Sequence, residues 1–130
     1  MKNNTLLWIV QGLLAAMFLL AGVPKLVMSA QQVAAPGPIQ LSVGFIRFIG
    51  VCEILGAIGM ILPGVTGIRA GLTPVGAGGL LIIMSGATVI NLIDGATALA
   101  LFTALLGALP GLVAYGRWTR AQRARASAKA

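Results

Sequence analysis

Apolar and polar positions alternate along this chain on the scale of whole segments: four long apolar runs are broken by short stretches of Pro, Gly and Gln. The first run covers about residues 5–23 and closes at Pro24-Lys25. Residues 29–44, "SAQQVAAPGPIQLSVG", read as an interfacial loop because of their Pro-Gly-Pro core and Gln pair. A second run covers about 45–62 and is ended by Pro63-Gly64. The third opens on "LTPVG", with Thr73 as the expected N-cap and Pro74 in the first turn, and continues to about residue 93. Asp94-Gly95 predicts a very tight turn into a fourth run that reaches about residue 115. Each run is close to the ~20 residues that a membrane span requires. The pattern therefore predicts an all-α polytopic membrane protein, a four-helix bundle with spans at about 5–25, 45–62, 73–93 and 96–116 and a basic tail at 117–130. A signal peptide is the competing reading of the first run. Its apolar core exceeds the roughly 7–15 residues of a signal h-region and no hydrophilic mature domain follows, so a retained helix is expected.

Composition removes the alternative of a water-soluble domain. Hydrophobic residues make up 58% of the 130 and charged residues only 8%, with a mean hydropathy of +1.01, against about 25% charged in soluble domains. The net charge of +7 does not predict nucleic-acid binding. Arg117, Arg120, Arg123, Arg125 and Lys129 lie together in the last fourteen residues, where a juxtamembrane segment meeting anionic lipid is expected. An even number of spans puts both termini on one side. Lys2, Arg69 and the five tail cations share that side, while Lys25 and Arg47 lie on the other. Seven against two predicts cytoplasmic termini by the positive-inside rule. Trp8, Tyr115 and Trp118 fall at the same boundary.

Small residues predict how the spans pack, since helices in lipid associate by close backbone approach. Ala96, Ala100, Ala104 and Ala108 form an i, i+4 ladder, Gly107 and Gly111 a GxxxG, and Gly12 with Ala16 and Gly76 to Gly79 supply further small positions. These serve a tight bundle or a homodimer seam.

Against this background Glu53, in "IGVCEILGAIG", is out of place. Its helical neighbours are Ile49, Gly50, Gly56 and Ala57, and three small residues of four indicate a face turned toward other helices. With a ~1.5 Å rise per residue, Ala16 or Met17, Met84 or Ser85, and Thr103 are expected near its depth. Ser85 and Thr103 can hydrogen-bond a carboxyl, and no Lys or Arg is level with it. A lone carboxylate in hydrocarbon takes up a proton, so Glu53 is expected to be protonated unless Lys25 or Arg47 reaches down to it. Three roles are open to it: a helix–helix hydrogen bond, a proton carrier, or a polar anchor in a ligand pocket. Lys25, Arg47, Asn91 and Asp94 form a second polar group at the outer boundary, read either as interfacial snorkelling with a cation–Asp94 pair or as a pocket mouth. Gln11 is expected to bond between helices, and Cys52 to pack.

Gly22-x-x-Lys25-Leu26, "GVCEILGAIGMILPGVTG" and "LTPVGAGGLLIIMSGA" resemble the DoxX-like membrane proteins over nearly the whole chain. The resemblance implies a four-helix protein of the bacterial inner membrane, and most such proteins have no established activity. The family takes its name from subunits associated with a terminal quinol oxidase and with thiosulfate:quinone oxidoreductase, and some relatives are linked to redox or thiol stress. It matches Lys25 and Glu53 to recurring polar positions. Where relatives often carry His near the end of the third helix, this chain has Asn91, which argues against a metal or proton relay there.

Two acids, no His and one Cys leave few parts for an active site, so no catalytic or metal-ligating residue is named. The expectation is an accessory or binding protein that holds a small hydrophobic ligand (a quinone or lipid-like molecule) or a membrane redox partner. Glu53, Lys25, Arg47, Asn91, Ser85 and Thr103 are its candidate ligand- or proton-binding residues. A small proton-coupled transporter using Glu53 is the alternative. The chain is similar to the small multidrug transporters in size, helix number and an embedded Glu. Their acid lies in the first helix, however, and their cavity is rich in aromatics, whereas this chain is only 5% aromatic.

Overall fold

The computed structural model describes residues 2–33, 38–68 and 71–130. They form α1 (Lys2–Val27), a short α2 (Ala30–Val33), α3 (Val43–Thr66), α4 (Leu72–Ile93) and α5 (Thr97–Lys129). The four long helices are each long and apolar enough to cross a membrane, and the chain is a multi-pass membrane protein. Arg69, which entered the charge count, lies outside the described residues, as does Pro36-Gly37 of the expected loop.

The helix ends depart from the sequence expectation for local reasons. Pro24 and Pro63 do not end α1 and α3 but lie inside them, as Pro110 lies inside α5. A proline removes one N–H and frees one carbonyl a turn earlier, which a membrane helix tolerates when a neighbouring helix covers the position. Pro63 and Pro110 are both buried in this way. The actual stop of α3 is Gly67, whose φ of 69° is left-handed and easily reached only without a Cβ. Its start is set by Ser42, whose hydroxyl accepts the Phe45 N–H at 3.2 Å. Thr73 is not the cap of α4: the helix begins at Leu72 after Gly71, and Thr73 is buried inside the first turn. The α4–α5 connection is as tight as expected. Gly95 takes a φ of 74° and the Ala96 N–H donates to the Asn91 carbonyl at 2.8 Å.

The basic segment after residue 116 is not a separate coil, because α5 runs unbroken to Lys129. From Arg117 onward the chain has neither Gly nor Pro and is rich in Ala and Arg, both strong helix formers. At ~1.5 Å per residue α5 is about 50 Å long, well beyond a ~30 Å hydrocarbon core.

Close contacts fix the register. Gly22 meets Gly50 and Trp8 meets Gly64 between α1 and α3; Gly76 meets Gly59 between α4 and α3; Gly107 meets Met84 between α5 and α4. Gly56 also meets Leu80, and Gly111 meets Leu81, so in each of these pairs of helices one number rises as its partner's falls and neighbouring helices are antiparallel. Both chain ends therefore lie on one side, called the terminal side here, opposite the far side. The circuit α1–α3–α4–α5 closes between α5 and α1 at the terminal side, where Leu7 packs on Gly116 and Arg117 meets Gln11. The core contains Leu14, Phe18, Ala57, Met60, Ala77, Leu80, Met84 and Val113.

Of the small residues, Gly107 and Gly111 are used within the chain. A Cβ on Gly107 would lie 2.8 Å from the Met84 Cβ, and Gly111 faces Leu81. The alanine ladder is not the packing stripe: Ala100 is buried, but Ala104 and Ala108 are exposed. Gly12 and Ala16 also face outward, the buried positions of α1 being Gln11, Leu14, Ala15, Phe18 and Gly22.

Candidate functional site

Glu53 lies at the middle of α3 and is 1% exposed, with Gly50, Gly56 and Ala57 buried beside it. The inward face read from those small neighbours is the observed one. Of the two cases left open for Glu53, the structure shows the one in which a cation reaches it: Lys25 Nζ lies 2.7 Å from Oε1 and 2.6 Å from Oε2. The ammonium supplies the charge that the carboxylate needs, and no proton on Glu53 is required to bury it.

The geometry of the crossing explains why a level-by-level comparison missed this pair. Lys25 is three residues past Gly22 and Glu53 three residues past Gly50. With the two glycines in contact, the Cα atoms of the pair are about 9 Å apart along the bundle axis. Side chains on a helix lean toward its N-terminus. Because α1 and α3 run in opposite directions, Lys25 leans toward the terminal side and Glu53 toward the far side, each toward the other. The close crossing is essential to this. A Cβ at Gly50 would sit 2.7 Å from the Gly22 carbonyl oxygen and 2.9 Å from the Lys25 Cβ.

Two largely apolar cavities share this pair as a common wall. One, of about 390 Å³, lies between α3 and α4 and is lined by Phe45, Ile49, Ile83 and Ala87 among others. The other, of about 610 Å³, lies between α1 and α5 and is lined by Met17, Phe18, Ala21, Leu99, Phe102 and Leu106. Lys25, Glu53, Met84, Asn91 and Thr103 border both.

Asn91 and Thr103 belong to a short polar chain that joins α4 to α5. Thr88 and Thr103 hydroxyls are 2.9 Å apart, and Asn91 Nδ2 donates to Thr103 Oγ1 at 3.4 Å. Thr88 was not among the sequence candidates. Its position three residues before Asn91, on the same helical face, is the signal that marks it.

The remaining candidates lie elsewhere. Ser85 donates to its own helix at Leu81 O and is exposed on a separate groove between α4 and α5, so it does not face Glu53. Arg47 is exposed and borders neither cavity that holds Glu53. Asp94 accepts the Ile39 N–H at 3.2 Å; of the two cations that could pair with it, Lys25 goes to Glu53 instead. Among the described residues, no three His, Cys, Asp or Glu side chains come together as a metal site would need.

Gln11 bonds between helices as expected, but its reach is wider. It donates from Nε2 to the Met60 carbonyl and accepts at Oε1 from Arg117 Nε at 2.9 Å, joining α1, α3 and α5. The Arg117 guanidinium also lies 4.9 Å from the Trp8 ring centre.

Comparison with curated proteins and with solved structures finds none that matches this chain. The family model of the DoxX-like family does match, over residues 9–113. That stretch includes the glycine crossing, the Lys25–Glu53 pair and both cavities, and the chain belongs to the DoxX-like family.

Proposed function

We propose that this is a binding or accessory protein of the bacterial inner membrane, with cytoplasmic termini, that holds a small hydrophobic ligand of quinone or lipid-like character. The observation that carries the reading is the shared wall: one ion pair, with Asn91 and Thr103 nearby, bordering two otherwise apolar cavities. Small-molecule sites are mostly apolar spaces of about 300–1,000 Å³ with a few polar groups that orient the ligand. Lys25 is suited to that role. An ammonium has three N–H donors; two are directed at Glu53, and the third can meet a carbonyl or headgroup oxygen. The apolar part of such a ligand reaches the cavity from the bilayer without crossing water.

The ion pair favours this reading over the proton-coupled transporter, because a carboxylate already balanced by an ammonium has less reason to carry a proton. Binding of a short-chain ubiquinone to the protein in phosphatidylcholine nanodiscs is the test. The double variant K25M/E53M removes the polar wall while leaving no unpaired charge. Its affinity should fall about tenfold, the worth of one to two hydrogen bonds. Unchanged affinity, or no saturable binding by the unsubstituted protein, would refute the reading.

A further inference from the structure

The terminal side carries a feature that ligand binding at Glu53 does not use. Arg117 and Arg120 converge on one neutral atom: Arg117 Nη1 and Arg120 Nη1 donate to Asn4 Oδ1 at 3.1 and 2.9 Å. Arg117 spends its Nε on Gln11, while its Nη2 is buried with no hydrogen-bond partner among the described residues. No carboxylate side chain is available to balance them. The chain has two acids, Glu53, paired with Lys25 at mid-bundle, and Asp94, at the far side. Two guanidiniums sharing one amide oxygen at the edge of a low-dielectric slab keep spare N–H donors and an unbalanced charge that an anion would complement.

The surroundings indicate where that anion comes from. Tyr115 and Trp118 are 70% and 58% exposed on α5 at this level, and Trp8 lies beneath Arg117 on α1. Aromatic residues so placed mark the headgroup depth of a bilayer. About twenty residues of α5 from Thr97, enough to cross the hydrocarbon, end at Gly116, so Arg117 is the first residue beyond it. Guanidinium forks match phosphate oxygens in pairs.

We propose that Arg117, Arg120 and Asn4 form a phosphate site at the seam between α1 and α5, filled in the bilayer by the phosphodiester of an anionic lipid. The site is distinct from the general attraction of a basic helix for a negative surface. Arg123 and Arg125 are exposed further along the helix and contribute only the latter. An occupied site draws α1 and α5 together on the terminal side, where the circuit of helices closes.

The full chain in nanodiscs of phosphatidylcholine with a minor fraction of phosphatidylglycerol provides the test, read by native mass spectrometry and by the thermal midpoint. The unsubstituted protein should retain phosphatidylglycerol and melt higher than in pure phosphatidylcholine. R120Q, which changes a side chain at the rim of the cluster, should retain about tenfold less, the worth of one charge-assisted contact. R125Q should retain nearly as much as the unsubstituted chain, and R120K, with charge but no fork, should fall between them. Inorganic phosphate added to pure phosphatidylcholine discs separates the sources. A midpoint rise that R120Q abolishes assigns the site to free phosphate; no rise, with the lipid effect intact, assigns it to the headgroup. Equal losses of lipid in R120Q and R125Q would overturn the site.

Discussion

Arg117 at the terminal side and Lys25 toward the far side are both cations drawn partly out of water, and their surroundings differ in two respects. Arg117 lies against an aromatic ring and between neutral oxygens, in a region where α1 and α5 touch. Lys25 lies on a carboxylate, in a region where open space separates α1 from α5. A cation bound by packed neutral groups serves as a strut between helices. One bound by an acid at the wall of a cavity can exchange part of its coordination for a ligand without becoming unpaired. The difference between the two ends is thus one of packing as much as of charge.

The largest expected effect separates the pair from its parts. K25M leaves Glu53 buried without a counter-charge, and removing one member of a buried ion pair costs about 3–5 kcal/mol. K25M/E53M should recover most of that loss, since an apolar pair of similar volume is often neutral or better. Thermal unfolding of the three proteins in one detergent measures both. A double variant as unstable as the single one would mean that the pair itself, not the unpaired acid, is what the fold needs.

A smaller loss is expected from G50A. The added methyl meets the Gly22 carbonyl and the Lys25 Cβ, so α1 and α3 must separate, and overpacking of this kind costs about 1–3 kcal/mol. Ubiquinone affinity should fall with stability, because Lys25 and Glu53 are brought together by that crossing. Loss of stability with full affinity would show that the pair forms without it.

The smallest effect belongs to the terminal side. Q11L leaves the Arg117 Nε without its acceptor but keeps Trp8 and Asn4 in place, and should cost about 1–2 kcal/mol. Its ubiquinone affinity should stay within about twofold, a margin of roughly 0.4 kcal/mol. A large change in affinity would mean that the two ends are coupled, and the contrast drawn between them would not hold.

Much of this arrangement is legible in the sequence, and the failures have physical causes. The four apolar runs mark the spans because a bilayer sets their length, and Gly50, Gly56 and Ala57 reveal the inward face of Glu53 because lipid-facing positions carry larger side chains. The Lys25–Glu53 pair is hidden from a comparison of Cα depths. It depends on the lean of side chains on antiparallel helices and on a glycine crossing that no single segment specifies. Ser85 fails as a candidate because depth alone does not fix which way a helix is rotated. The same holds for Ala104 and Ala108, whose spacing matches a packing stripe while Gly107 holds the contact. The bonding of Arg117 to Gln11 joins residues 106 positions apart, and nothing local to either announces it.

The unbroken α5 has a mechanical consequence. It is a rod that borders both cavities at Thr103, crosses the bundle, and ends at Lys129 well outside the hydrocarbon. Pro110, with no N–H to tie it to the preceding turn, divides the rod into two arms. The outer arm is about 28 Å long, so bending by about 10° at Pro110 swings its tip through about 5 Å. A bend of that size would pull Arg117 and Arg120 away from Gln11 and Asn4, so these contacts between α1 and α5 brace the rod just where it leaves the bundle.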